Sequence, residues 1–155
     1  MKGNRIERVK AGVDGVLAQV EEEQERRRAF VHLYGVAQAC AMLALKRRED
    51  VELAVIAGML HDLYAYAAAD RAGHANKGGA MAKEFLDRMG GFSQNEIEKI
   101  STAIGHHSEK TITHSAFDEI LKDANVLQQF MHNPLLHTAE HESPRLAALR
   151  AEFGL

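Results

Sequence analysis

The chain is expected to fold as an all-α domain, on three observations. Apolar residues recur at helical spacing along most of its length, capping signals punctuate those runs, and no segment shows sustained period-2 alternation of β-branched residues. Its 155 residues are 46% hydrophobic and 26% charged, with two Pro and twelve Gly, the balance of an ordinary globular domain and not of a disordered or collagen-like chain. At this length folding buries roughly 70% of the surface that the unfolded chain exposes, so a core forms without disulfides.

The elements follow in order. Ile6, Val9, Val13, Val16, Leu17 and Val20 make one apolar stripe on a first helix, which ends in the polar run Glu21 to Arg28. Phe30, Val31, Val36, Cys40 and Leu43 place a second helix over about 26–48. Asp50 reads as the N-cap of a third, running from Val51 to about Tyr66, whose Leu53, Ala54, Ile56, Ala57 and Leu60 make it apolar nearly all round and therefore central. A fourth spans about 76–89, stopped by Gly90-Gly91. Ser93 with Glu96 is a capping box that starts a fifth, and Ser115 with Asp118 opens a sixth. Ser143 followed by Pro144 reads as N-cap and first residue of a short last helix. No repeat, linker or composition break divides residues 1–155, so one domain is expected.

Composition also narrows the function classes. A single cysteine, Cys40, permits no internal disulfide and suits a reducing cytoplasm. A formal charge of −3 argues against a nucleic-acid or anionic-membrane binder. The charged start, Met1 to Lys10, lacks the apolar core of a secretory signal, and the run Leu53 to Leu60 falls far short of the roughly 18 residues that span a bilayer.

Histidine is the unusual residue, with nine in the chain. His61 and Asp62 are adjacent at the end of the apolar third helix, an imidazole and a carboxylate suited to a divalent metal. Nine His and seven Asp predict about 0.4 His-Asp pairs by chance, so the dipeptide alone decides little. Its context adds His32 in the second helix, His74, the pair His106-His107, and Asp123 in the sixth helix. His114 reads as a loop residue, and His132, His137 and His141 suit surface or capping roles.

The order His, His-Asp, His, His, Asp over successive helices resembles the HD-domain superfamily of metal-dependent phosphohydrolases. The segment "AFVHLYGVAQACAMLALKRREDVELAVIAGMLHD" is similar to that family's first His, its two following helices and its "AGxLHD" signature. "GHANKGGAMAKEFL" supplies a further His, "AIGHHSEK" is similar to the family's "AIxxHS", and "ILKDANVLQ" resembles its closing Asp segment. The resemblance covers about 28–130, leaving an N-terminal helix within 1–25 and a C-terminal segment, 131–155. It implies a helical bundle of six to seven helices and a metal site of His32, His61, Asp62 and Asp123. It also implies a second ion held by His74 and His107, with Asp62 bridging and His106 a further candidate.

The function implied is hydrolysis of a nucleotide or similar small phosphorylated metabolite. One or two divalent ions, Fe, Mn, Co, Ni, Zn or Mg, would activate water and neutralise a phosphoryl oxygen. His61 and Asp62 are then catalytic through the metal. Many members carry a Gly-Lys pair shortly after the His-Asp; here the stretch is "HDLYAYAAAD", and the candidate replacements are Lys77, Lys110 or Lys122 from a neighbouring segment, or Arg27 or Arg28 near His32. Asn125 stands where relatives often have a second acid. Two alternatives share the ligand pattern: a di-iron oxygenase on the same scaffold, and a nucleotide-binding regulatory module without turnover. The stripe Ile6 to Val20 has two destinations open to it, the domain itself or a second subunit in a homodimer.

Overall fold

Helix α1 (Arg5–Leu17) opens the computed structural model, which describes residues 4–155; Met1 to Gly3 of the N-terminal segment lie outside it. Asn4 caps the helix by accepting from the Ile6 N–H, and Val9, Val13 and Leu17 are fully buried at intervals of four. That stripe packs on α3, α4 and α2 of its own chain. The N-terminal helix is thus part of the domain.

Helix α2 (Glu23–Arg47) begins a turn earlier than its apolar residues suggest, because Glu22 accepts from the Gln24 and Glu25 N–H groups and caps it. Asp50 caps α3 (Val51–Leu60), accepting from the Leu53 N–H at 2.9 Å. The run expected to continue to Tyr66 is interrupted: Asp62 leaves helical geometry (φ −114°, ψ 9°), and α4 (Leu63–Ala68) follows as a separate element. This break turns seven expected helices into eight among the described residues, and it falls on the His-Asp pair.

Gly73, with φ 61°, leads into α5 (His74–Met89), and Gly90, with φ 68°, ends it. The capping box of Ser93 and Glu96 starts α6 (Gln94–His106), and Ser115 caps α7 (Ala116–His132) by accepting from the Asp118 N–H. After a 3-10 turn over Glu140–Glu142 comes α8 (Ser143–Phe153). Ser143 is its first helical residue, not its N-cap; the hydroxyl donates to the Ala139 carbonyl at 3.1 Å and Pro144 sits in the first turn.

The nearly all-apolar α3 lies at the centre, against α1, α2, α4, α6 and α7. Two close approaches set the helices around it. A Cβ on Gly58 would lie 2.7 Å from Ala37 Cα, so α3 meets the α2 backbone there, and one on Gly79 would lie 2.8 Å from the Ser101 carbonyl, where α5 meets α6. By length and composition α2 and the stretch Val51–Ala68 would each suffice to cross a bilayer; here their apolar faces are packed on one another and on the rest of the core.

Candidate metal centre

The break after α3 is where the chemistry gathers. His61 is fully buried at the C-terminus of α3, and Asp62 beside it is 8% exposed. The packing of α2 on α3 carries His32 to one side of Asp62. The packing of α5 on α6 carries His74, the first residue of α5, and His107, the C-cap of α6, to the other. Each pair of histidines is therefore delivered by one of the two tight helix pairs, with the His-Asp break between them.

The distances divide this cluster in two around a single carboxylate. Asp62 Oδ2 lies 3.2 Å from His32 Nε2 and 3.4 Å from His61 Nε2. Asp62 Oδ1 lies 3.2 Å from His107 Nε2 and 3.5 Å from His74 Nε2. His32, His61 and Asp62 form one group with the spacing of metal ligands, and Asp62, His74 and His107 form a second.

The outer nitrogens decide the tautomers. His61 Nδ1 faces the Gly58 carbonyl at 2.7 Å, His107 Nδ1 that of Ile104 at 2.6 Å, His74 Nδ1 that of Arg71 at 3.0 Å, and His32 Nδ1 the Gln128 side-chain oxygen at 3.0 Å. These oxygens only accept, so a neutral ring that keeps its proton on Nδ1 turns the Nε2 lone pair inward, which is the form that ligates a metal. His32 Nε2 and His61 Nε2 face each other at 3.1 Å. Asp62 Oδ1 is buried without a hydrogen-bond partner. Four inward ring nitrogens around a carboxylate with an orphaned oxygen make a donor set suited to a cation. The residues present fit one or two divalent ions, with Asp62 shared.

The electrostatics agree. Burial pushes the His61 imidazolium down to about 4, which keeps the ring neutral and free to ligate. Burial opposes charge on Asp62 as well, but His61, His107 and His32 around it outweigh that and hold it well below the usual carboxylate range.

Other expected site residues go elsewhere. Asp123, assigned to the metal by the resemblance, is turned away: its oxygens accept from Arg47 at 2.8 Å and Arg145 at 3.0 Å. Asn125 occupies the place instead, its Nδ2 3.2 Å from His61 Nε2 and 3.5 Å from His32 Nε2. Two residues along a helix differ by about 200° in direction, so only one of the pair can face inward. The α7 residue that faces His32 and His61 is therefore a neutral amide, with its Oδ1 accepting from Gln129 at 3.3 Å. His106 is likewise not brought in: its Nδ1 is 2.7 Å from Asp118 and its ring stacks on His114 at 3.8 Å. Adjacent residues on α6 point about 100° apart, and His107 takes the inward direction.

His106, Glu109 and His114 also gather three donor atoms. His114, however, lies between Lys122 Nζ on Nδ1 and Glu109 on Nε2, which occupy both of its ring nitrogens.

Of the candidate cations, Lys77 is taken by Asp70 at 2.8 Å and does not join the cluster. Lys122 is fully buried, donating to the Ile112 carbonyl at 2.8 Å and pairing with Glu119 at 3.2 Å, also away from it. Lys110 alone borders the centre. Its Nζ donates to the His107 carbonyl, and Glu142 and Asp62 are the acids whose charge it feels; burial nonetheless pushes the ammonium down to about 8. Gln128, which sets the His32 tautomer, was not foreseen; its signal is the i+3 relation to Asn125 on the inward face of α7.

Comparison with known proteins places this arrangement. No curated protein matches the chain. A crystal structure described as a predicted HD superfamily hydrolase, from an uncultured Thermotogales bacterium, is 20% identical, with a TM-score of 0.62 over 92% of this chain and 87% of that one. The two share a fold. The profile of the HD domain matches residues 29–144, which includes every residue of the cluster around Asp62. The chain belongs to the HD domain family.

Proposed function

We propose that this chain is a metal-dependent phosphohydrolase acting on a nucleotide or similar small phosphorylated metabolite. The observation that carries this reading is the two-sided presentation of Asp62, one oxygen toward His32 and His61 and the other toward His74 and His107. Membership of the HD family, and likeness to a structure described as a predicted hydrolase, support the hydrolytic class. A divalent ion bound there supplies Lewis acidity and a water of lowered pKa.

The chain's own part is preorganisation and charge. Four carbonyl-type acceptors fix the imidazoles by their Nδ1 protons, so the inward Nε2 atoms need little rearrangement to hold a charged group. Lys110 stands beside His107 and serves the role of the base missing after the His-Asp: its ammonium binds a phosphoryl oxygen. In the reaction the oxygen of water bonds to phosphorus, the P–O bond to the leaving group breaks, and the water proton passes to the leaving oxygen or to solvent.

Phosphate release from a panel of nucleoside monophosphates and simple phosphomonoesters, measured with Mn, Co, Ni, Zn, Fe and Mg supplied in turn, tests this. We expect turnover with at least one ion, and a fall of about a hundredfold or more in His61→Ala with helical content retained. No release with any ion, together with oxygen consumption by the iron-loaded protein, would overturn it in favour of the oxygenase alternative.

A further inference from the structure

The metal centre is not approached evenly from its two sides. A cleft of about 660 Å³ opens on the His32 side, and of the cluster residues His32 alone lines it. His74 and His107 have no part in its walls. The cleft is far larger than a phosphate group and lies in the range of small-molecule sites. Val31, Val126 and Leu136 give it apolar surface, and Tyr66 stands beside His32, ring centroids 6.5 Å apart. A phosphoryl group at Asp62 thus has room for its organic part in one direction, past His32.

The charges along this route are uneven too. Arg27 and Arg28, in the second turn of α2, both line the cleft. Arg5, Arg47 and Arg145 are each committed to two carboxylates from other helices. Arg27 and Arg28 hold only Glu23 and Glu25 of their own helix, at 3.3 and 2.5 Å, with side chains 75% and 68% exposed. Exposed pairs within one helix are weak and readily exchanged for a ligand anion. Arginine also matches carboxylate and phosphate in a bidentate manner. The acid lining the cleft, Glu142, is nearly buried and has Lys110 as its neighbouring cation, so Arg27 and Arg28 are the cations that the exposed end of the cleft offers a ligand in exchange for Glu23 and Glu25.

We infer that this cleft is the subsite for the organic part of the substrate, and that Arg27 and Arg28 select phosphoesters carrying a second anionic group on that part. The inference rests on the phosphohydrolase reading for what sits at the metal centre. The second anion is a carboxylate or a further phosphate, and probes of each kind separate them.

The test compares matched probes on the manganese-loaded full chain and on an Arg27→Gln/Arg28→Gln double variant. Binding of benzylphosphonate and 4-carboxybenzylphosphonate is measured by calorimetry. Hydrolysis is measured for phenyl phosphate against 4-carboxyphenyl phosphate, and for adenosine 5′-monophosphate against adenosine 3′,5′-bisphosphate. We expect the second anion to improve binding and kcat/KM by about tenfold, the strength of one charge-assisted contact. The double variant should lose that preference while its handling of the plain probes changes less than about twofold. Whichever pair shows the larger loss identifies carboxylate or phosphate. Equal treatment of the paired probes, a preference that survives the double substitution, or failure of both phosphonates to bind would overturn the inference. A phosphonate preference that vanishes in the variant without any turnover would uphold the subsite and tell against the hydrolase reading.

Discussion

Asp62 and Asp123 are equally buried, at 8% exposure, and each sits among nitrogen-bearing side chains from distant helices. Around Asp123 the accounts are closed. Arg47 of α2 and Arg145 of α8 donate to its two oxygens; Glu152 takes the other Arg47 nitrogens, Glu119 shares Arg145 Nη1, and the Lys110 and Ile112 carbonyls take Arg145 Nε and Nη2. Around Asp62 the neighbours are imidazoles whose Nδ1 atoms face acceptors on the outer side, and one of its oxygens has no hydrogen-bond partner. The first region is complete as protein and ties α8 to α2 and α7; the second is complete only with a cation. An unsatisfied buried carboxylate is thus a sharper marker of function than burial or charge.

The contrast predicts opposite phenotypes, the largest at Asp62. Asp62→Asn should reduce divalent metal affinity more than about a hundredfold, seen by elemental analysis after gel filtration. Its thermal stability in chelator should be unchanged or higher, because a buried uncompensated charge is gone. A stability loss with normal metal content would reverse the roles of the two acids. Asp123→Ala should do the converse: about 2 kcal/mol lost in urea unfolding, less than is usual for a broken buried pair because both arginines keep a second acid, with metal content intact. Loss of metal there would return Asp123 to the centre.

A smaller effect comes from a satisfied acid near the surface. The Arg5 guanidinium, helped by the Ser93 N–H, pulls the Glu96 carboxyl from 4.5 to about 2. Because the folded value is the lower one, this contribution is whole above about pH 4.5 and fades as the pH falls toward 2. Acid unfolding followed by circular dichroism should therefore be less steep in Arg5→Gln across that window, by under about 1 kcal/mol after solvent screening. An unchanged profile would mean that the pair on α1 and α6 adds nothing to acid resistance.

Much of the fold was legible because its signals are local. Asp50, Ser93 with Glu96, and Ser115 cap the N–H group three positions ahead, and each does so as read. The apolar stripe of α1 showed that the helix must be covered, though not by what. The break between α3 and α4 was hidden, because Leu63 to Ala68 continues in helix-forming residues and nothing in their composition marks an interruption. At the site, His32, His61, Asp62, His74 and His107 were legible through order along the chain. The choice between Asp123 and Asn125 was not, since both lie on one helix within a single turn and both are buried.

Sequence alone determined most of the helices, the caps at Asp50, Ser93 and Ser115 and the inventory of candidate ligands, because those depend on contacts a few residues long. Tertiary structure decided which candidates meet. The depth at which α3 seats on α2 and α5 on α6 brings four imidazoles to one carboxylate. The rotation of α7 about its axis directs Asn125 to the metal centre and Asp123 to the arginines. A rotation shared by a whole helix is set by the sum of its packing contacts, and no short stretch of residues encodes that sum.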